Sequence, residues 1–219
     1  MINPLRSGML CLSCMLLVAC NSSTNTAYQT INLAIKGPES TITTDVINRL
    51  GKTGLIVRLG NGEALLVLAA RYNNTAEWHG PNQLLVTRNG RLVQSAGAPD
   101  NADLIAPLAA NDPFLADLRE LRDGQEITRQ VDYPKRFLTG LPQHARYTLG
   151  GIESIEIMGV PRSLQRINEA ITMPTLGFKA TNTYWMEPET GKVLASAQHL
   201  TPDQPALSLT EVSPAGAQP

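Results

Sequence analysis

No cysteine follows position 20 of this 219-residue chain; the three present are Cys11, Cys14 and Cys20. A disulfide framework and a cysteine-based metal site are therefore excluded from everything after the first twenty residues. Histidine is equally scarce. His79, His144 and His199 form no i,i+4 pair, so no metal-ligand spacing is present. Only 17% of residues are charged and the formal net charge is −1, which leaves nucleic acid without an electrostatic footprint. There is no nucleophile elbow and no glycine spacing that would cradle a phosphate. On these grounds no catalytic residue, metal or cofactor is assigned.

Long apolar runs are also missing, with one short exception at the start. Residues 9–19 are apolar apart from Ser13, and Arg6 precedes them. Such a run is too short to cross a bilayer, which takes about 20 residues. Positive charge, a short apolar core and small residues describe an export signal. Its end, Leu17-Val18-Ala19-Cys20, resembles a bacterial lipobox. A small Ala19 suits a tight peptidase subsite, and the Cys20 thiol is a nucleophile that can take a diacylglycerol group. Two or more acyl chains anchor firmly where one is marginal. Asn21 is not the aspartate of inner-membrane retention, which points to the outer membrane, facing the periplasm. Residues 1–19 thus read as a lipoprotein signal peptide, 20–30 as the lipidated cysteine and a polar tether, 31–213 as a single β-rich domain, and 214–219 as a flexible tail. Without the leader, which carries one of 18 basic and none of 19 acidic residues, the charge is 17 minus 19, or −2.

The remainder is patterned for strands. Asn61-Gly62 and Asn89-Gly90 each stand between apolar runs, the strongest short hairpin signal. Ile127, Val131 and Tyr133 share one parity, and IESIEIM (152–158) and SLQRINEAI (163–171) add two strands. Over 176–200, Leu176, Phe178, Ala180 and Tyr184 take one face and Lys179, Thr183 and Trp185 the other, with EPETG (187–191) as the turn. ALSLTEV (206–212) reads as a last strand. Two helices are expected. One lies near 40–50, with Thr44 or Asp45 as cap and Gly51 as stop. The other is capped by Asp112 and carries Phe114, Leu115, Leu118 and Leu121 on one face. The fold class is mainly β: an antiparallel sandwich or open barrel with one or two short helices.

Binding candidates are few. Trp78, in AEWHGPNQ, and Trp185, on the polar parity of its strand, offer faces that stack on sugar rings. Lys179 shares the Trp185 face. Arg88 and Arg91 bracket a hairpin turn, where they read as solvated side chains that can meet an acidic glycan or a partner. Glu187 and Glu189 are the obvious local carboxylate pair, and a solvated turn explains them equally well.

LLVTRNGRLVQSAG (84–97), YWMEPETGKVLAS (184–196) and the lipobox together resemble the YjbF/GfcB family, over most of residues 30–212. The resemblance implies a predominantly β outer-membrane lipoprotein needed for producing or exporting extracellular polysaccharide. It lends no catalytic residues. The expected partners are the outer membrane through the lipid, and polysaccharide or polysaccharide-export proteins. A glycan-modifying enzyme and a purely structural envelope lipoprotein remain as alternatives.

Overall fold

The computed structural model describes residues 40–216. The expected signal, the lipidated Cys20 and the tether lie outside those residues, as does the end of the expected tail.

Among the described residues one helix, α1 (Thr44–Leu50), precedes the strands. Its cap is Thr43, whose hydroxyl accepts from Val46 N, one residue before the expected cap, and Gly51 ends it at φ 64. Then follow β1 (Gly54–Leu59), β2 (Gly62–Tyr72), β3 (Thr75–His79), β4 (Leu84–Arg88), β5 (Arg91–Ala96), β6 (Glu126–Tyr133), β7 (Leu138–Ile157), β8 (Val160–Met173), β9 (Phe178–Met186), β10 (Val193–Gln198) and β11 (Leu207–Val212). They form a single eleven-stranded sheet in the order β5-β4-β3-β2-β1-β11-β10-β9-β8-β7-β6, and every neighbouring pair is antiparallel. The expected mainly β, antiparallel class is what the chain adopts.

The sheet curls until its two edges nearly meet. Ile105 bridges Gln94 of β5 on one side and Asp132 of β6 on the other. Ser95 N donates to Leu104 O, Ala106 N to Val93 O, and Ile105 and Asp132 exchange both backbone bonds at 2.8–3.0 Å. Three residues thus satisfy edge groups that would otherwise be open to another strand. Antiparallel order gives the curled sheet two rims. The C-terminal ends of β1, β3, β5, β6, β8 and β10 define a lower rim; the turns at 73–74, 89–90 and 187–192 lie on the upper rim.

Several local expectations change. The first hairpin turns on Gly60-Asn61, because Leu59 pairs with Gly62. A strand absent from the sequence reading, β3, follows an Asn73-Asn74 turn with both residues at positive φ (46 and 61). IESIEIM is not a separate strand; it continues β7 past a register shift between Leu149 and Ile152. The helix expected after Asp112 is replaced by two 3-10 turns, Pro113–Leu115 and Leu118–Glu120, with extended Ala116 between them. Asp117 is the reason. Its carboxylate accepts from Arg119 N and caps a new turn instead of continuing the old one. Phe114, Leu118 and Leu121 still enter the core, but Leu115 is exposed.

Beyond the Gly150-Gly151 shift β7 and β8 run on together, and from Glu153↔Leu164 to Ile157↔Val160 they extend past the β8–β9 ladder as an arm. Its tip residues Ile157 and Met158 join a small apolar cluster outside the sheet, with Ile47 of α1, Ile56 of β1 and Val212 of β11. Trp185 is buried on that same outer face, and its Nε1 donates to Glu153 of the arm at 2.8 Å. Glu153 also accepts from Arg166 Nη1 at 2.8 Å.

Inside the curl the apolar core is interrupted by a charged cluster. Glu169 of β8 is 0% exposed. Its two oxygens accept from Arg91 Nη1, Arg129 Nη1, Tyr147 OH, Asn182 Nδ2 and Tyr184 OH, all at 2.6–3.0 Å. Arg129 reaches Asp112 through Nε and Nη2, at 3.1 and 2.7 Å. Gln143 Oε1 accepts from both arginines. Two cations and two anions balance, although Arg91 Nε stays buried without a partner among the described residues. Ions taken out of water cost several kcal/mol each, and that cost is recovered only where hydrogen bonds replace the water. Burial pushes the Glu169 carboxyl pKa up, but Arg91 and Arg129 outweigh it and hold the group well below the usual carboxylate range. At the lower rim, Tyr133 OH donates to Leu200 O at 2.5 Å, and burial pushes its pKa up to about 12.

Glu169→Gln is expected to cost about 3–5 kcal/mol in urea unfolding at neutral pH, because two buried arginines lose their counter-charge. The folded Glu169 carboxyl titrates below its ordinary value of 4.5. Its contribution is therefore full above about pH 4.5 and is lost as pH falls toward the folded value, so the gap between the two proteins shrinks in acid. Trp185→Ala, which empties a site between arm and sheet, is expected to cost about 3–5 kcal/mol in the same measurement.

Candidate functional site

The two segments that carry the family resemblance lie about a hundred positions apart, yet they meet at the upper rim. Asn89 (φ 47) and Gly90 (φ 83) form a turn that needs left-handed backbone at both positions. A Cβ on Gly90 would lie 2.4 Å from Val193 Cβ, so only glycine lets this turn sit on β10. The opposite turn is closed by Glu187 N donating to Lys192 O at 2.8 Å and Thr190 Oγ1 donating to the Glu187 carboxylate at 2.8 Å. Arg119 Nη1 holds Glu189 O at 2.8 Å from the 3-10 segment.

Between these turns lies a cleft of about 480 Å³, walled by Arg71, Asn74, Asn89, Thr190, Lys192 and Glu211 among others. Arg71 Nη2 and Lys192 Nζ both reach the same Glu211 oxygen, at 2.7 and 2.8 Å. The Arg71 guanidinium also lies 5.6 Å from the Trp78 ring centroid. Asp117 borders the cleft, and its hydrogen bonds to Arg119 lower its pKa to about 2. Arg71 and Lys192 balance Glu211 and Asp117 along the wall, and the amides and hydroxyl between them are groups that read sugar hydroxyls. A second cavity, about 360 Å³, opens at the lower rim and is largely apolar, lined by Val57, Leu59, Leu66, Leu85, Leu200 and Leu207 among others.

The sequence candidates are scattered by the fold. Trp78 is buried beneath Arg71, with Nε1 donating to Thr87 Oγ1 at 2.9 Å. Trp185 is buried under the arm and faces neither cavity. Neither indole offers an open face to a sugar. Lys179 is exposed near the lower rim, far along its strand from the cleft. Arg88 is half-buried on the upper turn, and its Nε lacks a partner among the described residues. Arg91 is not solvated, as its place beside a turn suggests, but belongs to the Glu169 cluster. Glu187 is held within its own turn and Glu189 is exposed. His79 is exposed, His144 meets Thr128 and His199 meets Asn182. Among the described residues no three His, Cys, Asp or Glu gather into a metal site.

Arg71, Lys192 and Glu211 escape the sequence reading because each sits on a different strand or turn. The buried cluster does leave a trace. Arg129 falls on the parity of Ile127 and Val131, and Glu169 on that of Ile167 and Ile171. A charge at an inward position is a signal for a buried pair.

A family described as "Group 4 capsule polysaccharide lipoprotein gfcB, YjbF" matches residues 28–212. The uncharacterized lipoprotein GfcB of Escherichia coli strain K12 is 23% identical over 215 residues, covering 96% of this chain and 100% of that protein. The crystal structure of the hypothetical lipoprotein YmcC of Escherichia coli K12 is similar at a TM-score of 0.68 and 21% identity, covering 91% of this chain and 100% of that one. This last likeness supports the fold. With a match that runs the whole length of the curled sheet, the chain belongs to the YjbF family of group 4 capsule polysaccharide lipoproteins.

Proposed function

We propose that this protein is an outer-membrane lipoprotein, anchored through Cys20 and facing the periplasm, that assists assembly or export of an exopolysaccharide or capsule by binding the glycan. The observation that carries the reading is the upper-rim cleft, formed where the two segments of family resemblance converge. Its wall combines amide, hydroxyl and charged groups, the chemistry that holds a polar sugar chain. Arg71 and Lys192 share one counter-carboxylate, Glu211, and so keep donor capacity for a sugar hydroxyl or carboxylate. With both tryptophans buried, recognition rests on hydrogen bonds and charge and not on stacking.

A non-enzymatic role fits the same geometry. Glycoside cleavage uses two carboxyl groups flanking one bond. Here both carboxylates of the cleft wall are committed to ion pairs, Glu211 to Arg71 and Lys192, and Asp117 to Arg119. Docking to an export component through the same rim is the second mode this family role allows.

Calorimetric titration of residues 21–219 with purified polysaccharide from the same organism tests the proposal. Saturable binding is expected, weakened about tenfold by Lys192→Ala, which corresponds to about 1.4 kcal/mol. Added salt should weaken it further if the glycan is acidic. No binding by folded protein contradicts the glycan reading, and unchanged binding by the variant moves the site away from this cleft.

A further inference from the structure

The lower rim carries features that the glycan cleft does not use. Turns Pro134–Arg136 and Pro174–Leu176 share one build: a proline, a single 3-10 turn, then a left-handed residue that leads into the next strand. In the second turn that residue is Gly177, at φ 59; in the first it is Phe137, at φ 55. Left-handed backbone is easy for glycine and strained for phenylalanine. The Phe137 ring is also 94% exposed, so no packing offsets the strain. A protein gains nothing inside its own fold from this choice, and the neighbouring turn shows that glycine satisfies the same geometry.

What surrounds Phe137 indicates what it meets. Lys135 is exposed beside it, and Lys179 is exposed just beyond the sister turn. Arg136 is engaged with Asp203 and with two backbone carbonyls. The apolar cavity opens on the same rim. The chain also enters the described body here: Ser40 Oγ donates to Glu63 Oε1 at 2.8 Å and Thr41 N to Glu63 Oε2 at 3.1 Å, at the start of β2. Twenty peptide steps (40 minus 20) separate that entry from Cys20. An exposed apolar ring with lysines nearby is a composition that settles at a membrane surface, with the ring at the boundary of headgroups and acyl chains and the cations beside phosphates.

We infer that the lower rim rests on the phospholipid surface that holds the lipid anchor, with Phe137 inserted among the headgroups and the upper-rim cleft turned away from the membrane. This rests on the anchor reading of Cys20. The lipid-facing rim keeps the body upright on its tether and presents the polar cleft to the periplasmic space.

The test uses the mature lipoprotein in vesicles of phosphatidylethanolamine and phosphatidylglycerol containing brominated lipid. Phe137→Trp places a fluorophore on the lower rim, and Tyr72→Trp places one at an exposed upper-rim position. Bromolipid should quench the added emission at 137 and leave that at 72 unchanged. Phe137→Gly should melt no lower than the parent, since the fold does not need the ring. Quenching at neither position, at both, or at 72 alone overturns the inference, as does marked destabilisation by Phe137→Gly. Failure of the protein to float with the vesicles overturns the anchor reading and this inference together.

Discussion

A carboxylate with no access to water, clamped between two arginines, is the constraint on which this fold turns. Glu169 draws donors from β5, β6, β7 and β9 to a single point on β8. The first and last strands of the sheet order, β5 and β6, each send one arginine. A hydrophobic interior would favour a curl of many possible tightnesses. Fixed charge partners accept only the arrangement in which both edges approach β8, and Ile105 then closes the seam between them. Burying ions in this way is a poor source of stability in itself, since the desolvation cost nearly cancels the attraction. Its contribution is to make other arrangements costly.

From that closure come two unlike ends. The upper rim is assembled from turns brought together across the sheet, and its cleft is polar and ion-paired. The lower rim is apolar within and bears an exposed phenylalanine at its margin. The segments 84–97 and 184–196 build one rim from both sides, with Gly90 seated on Val193. Their residues are constrained first by that packing.

Sequence reasoning reached the parts of the molecule governed by neighbours along the chain. Asn89-Gly90 turns because both residues tolerate positive φ, and EPETG turns through its own hydroxyl and backbone bonds; both are local facts. Asn73-Asn74 was legible in the same terms, though two asparagines signal a turn less loudly than asparagine with glycine. The helix expected after Asp112 fails because Asp117 offers a second cap and Arg129, distant in sequence, engages Asp112. Trp185 falls on an outward parity, as expected, and no local pattern reveals that a bent arm from β7 and β8 covers that face. Arg91 follows a turn in sequence but points into the interior, and only its partner on β8 explains why.

The most direct measurement of the closure is amide hydrogen exchange at Ile105, Ala106 and Asp132 in the protein with Glu169 replaced by glutamine. If the charged cluster holds the curl shut, protection at these seam amides falls further than protection in the β1–β11 ladder. If the seam keeps the same protection relative to that ladder as in the parent protein, the apolar core alone closes the sheet, and the cluster is not what sets its two rims.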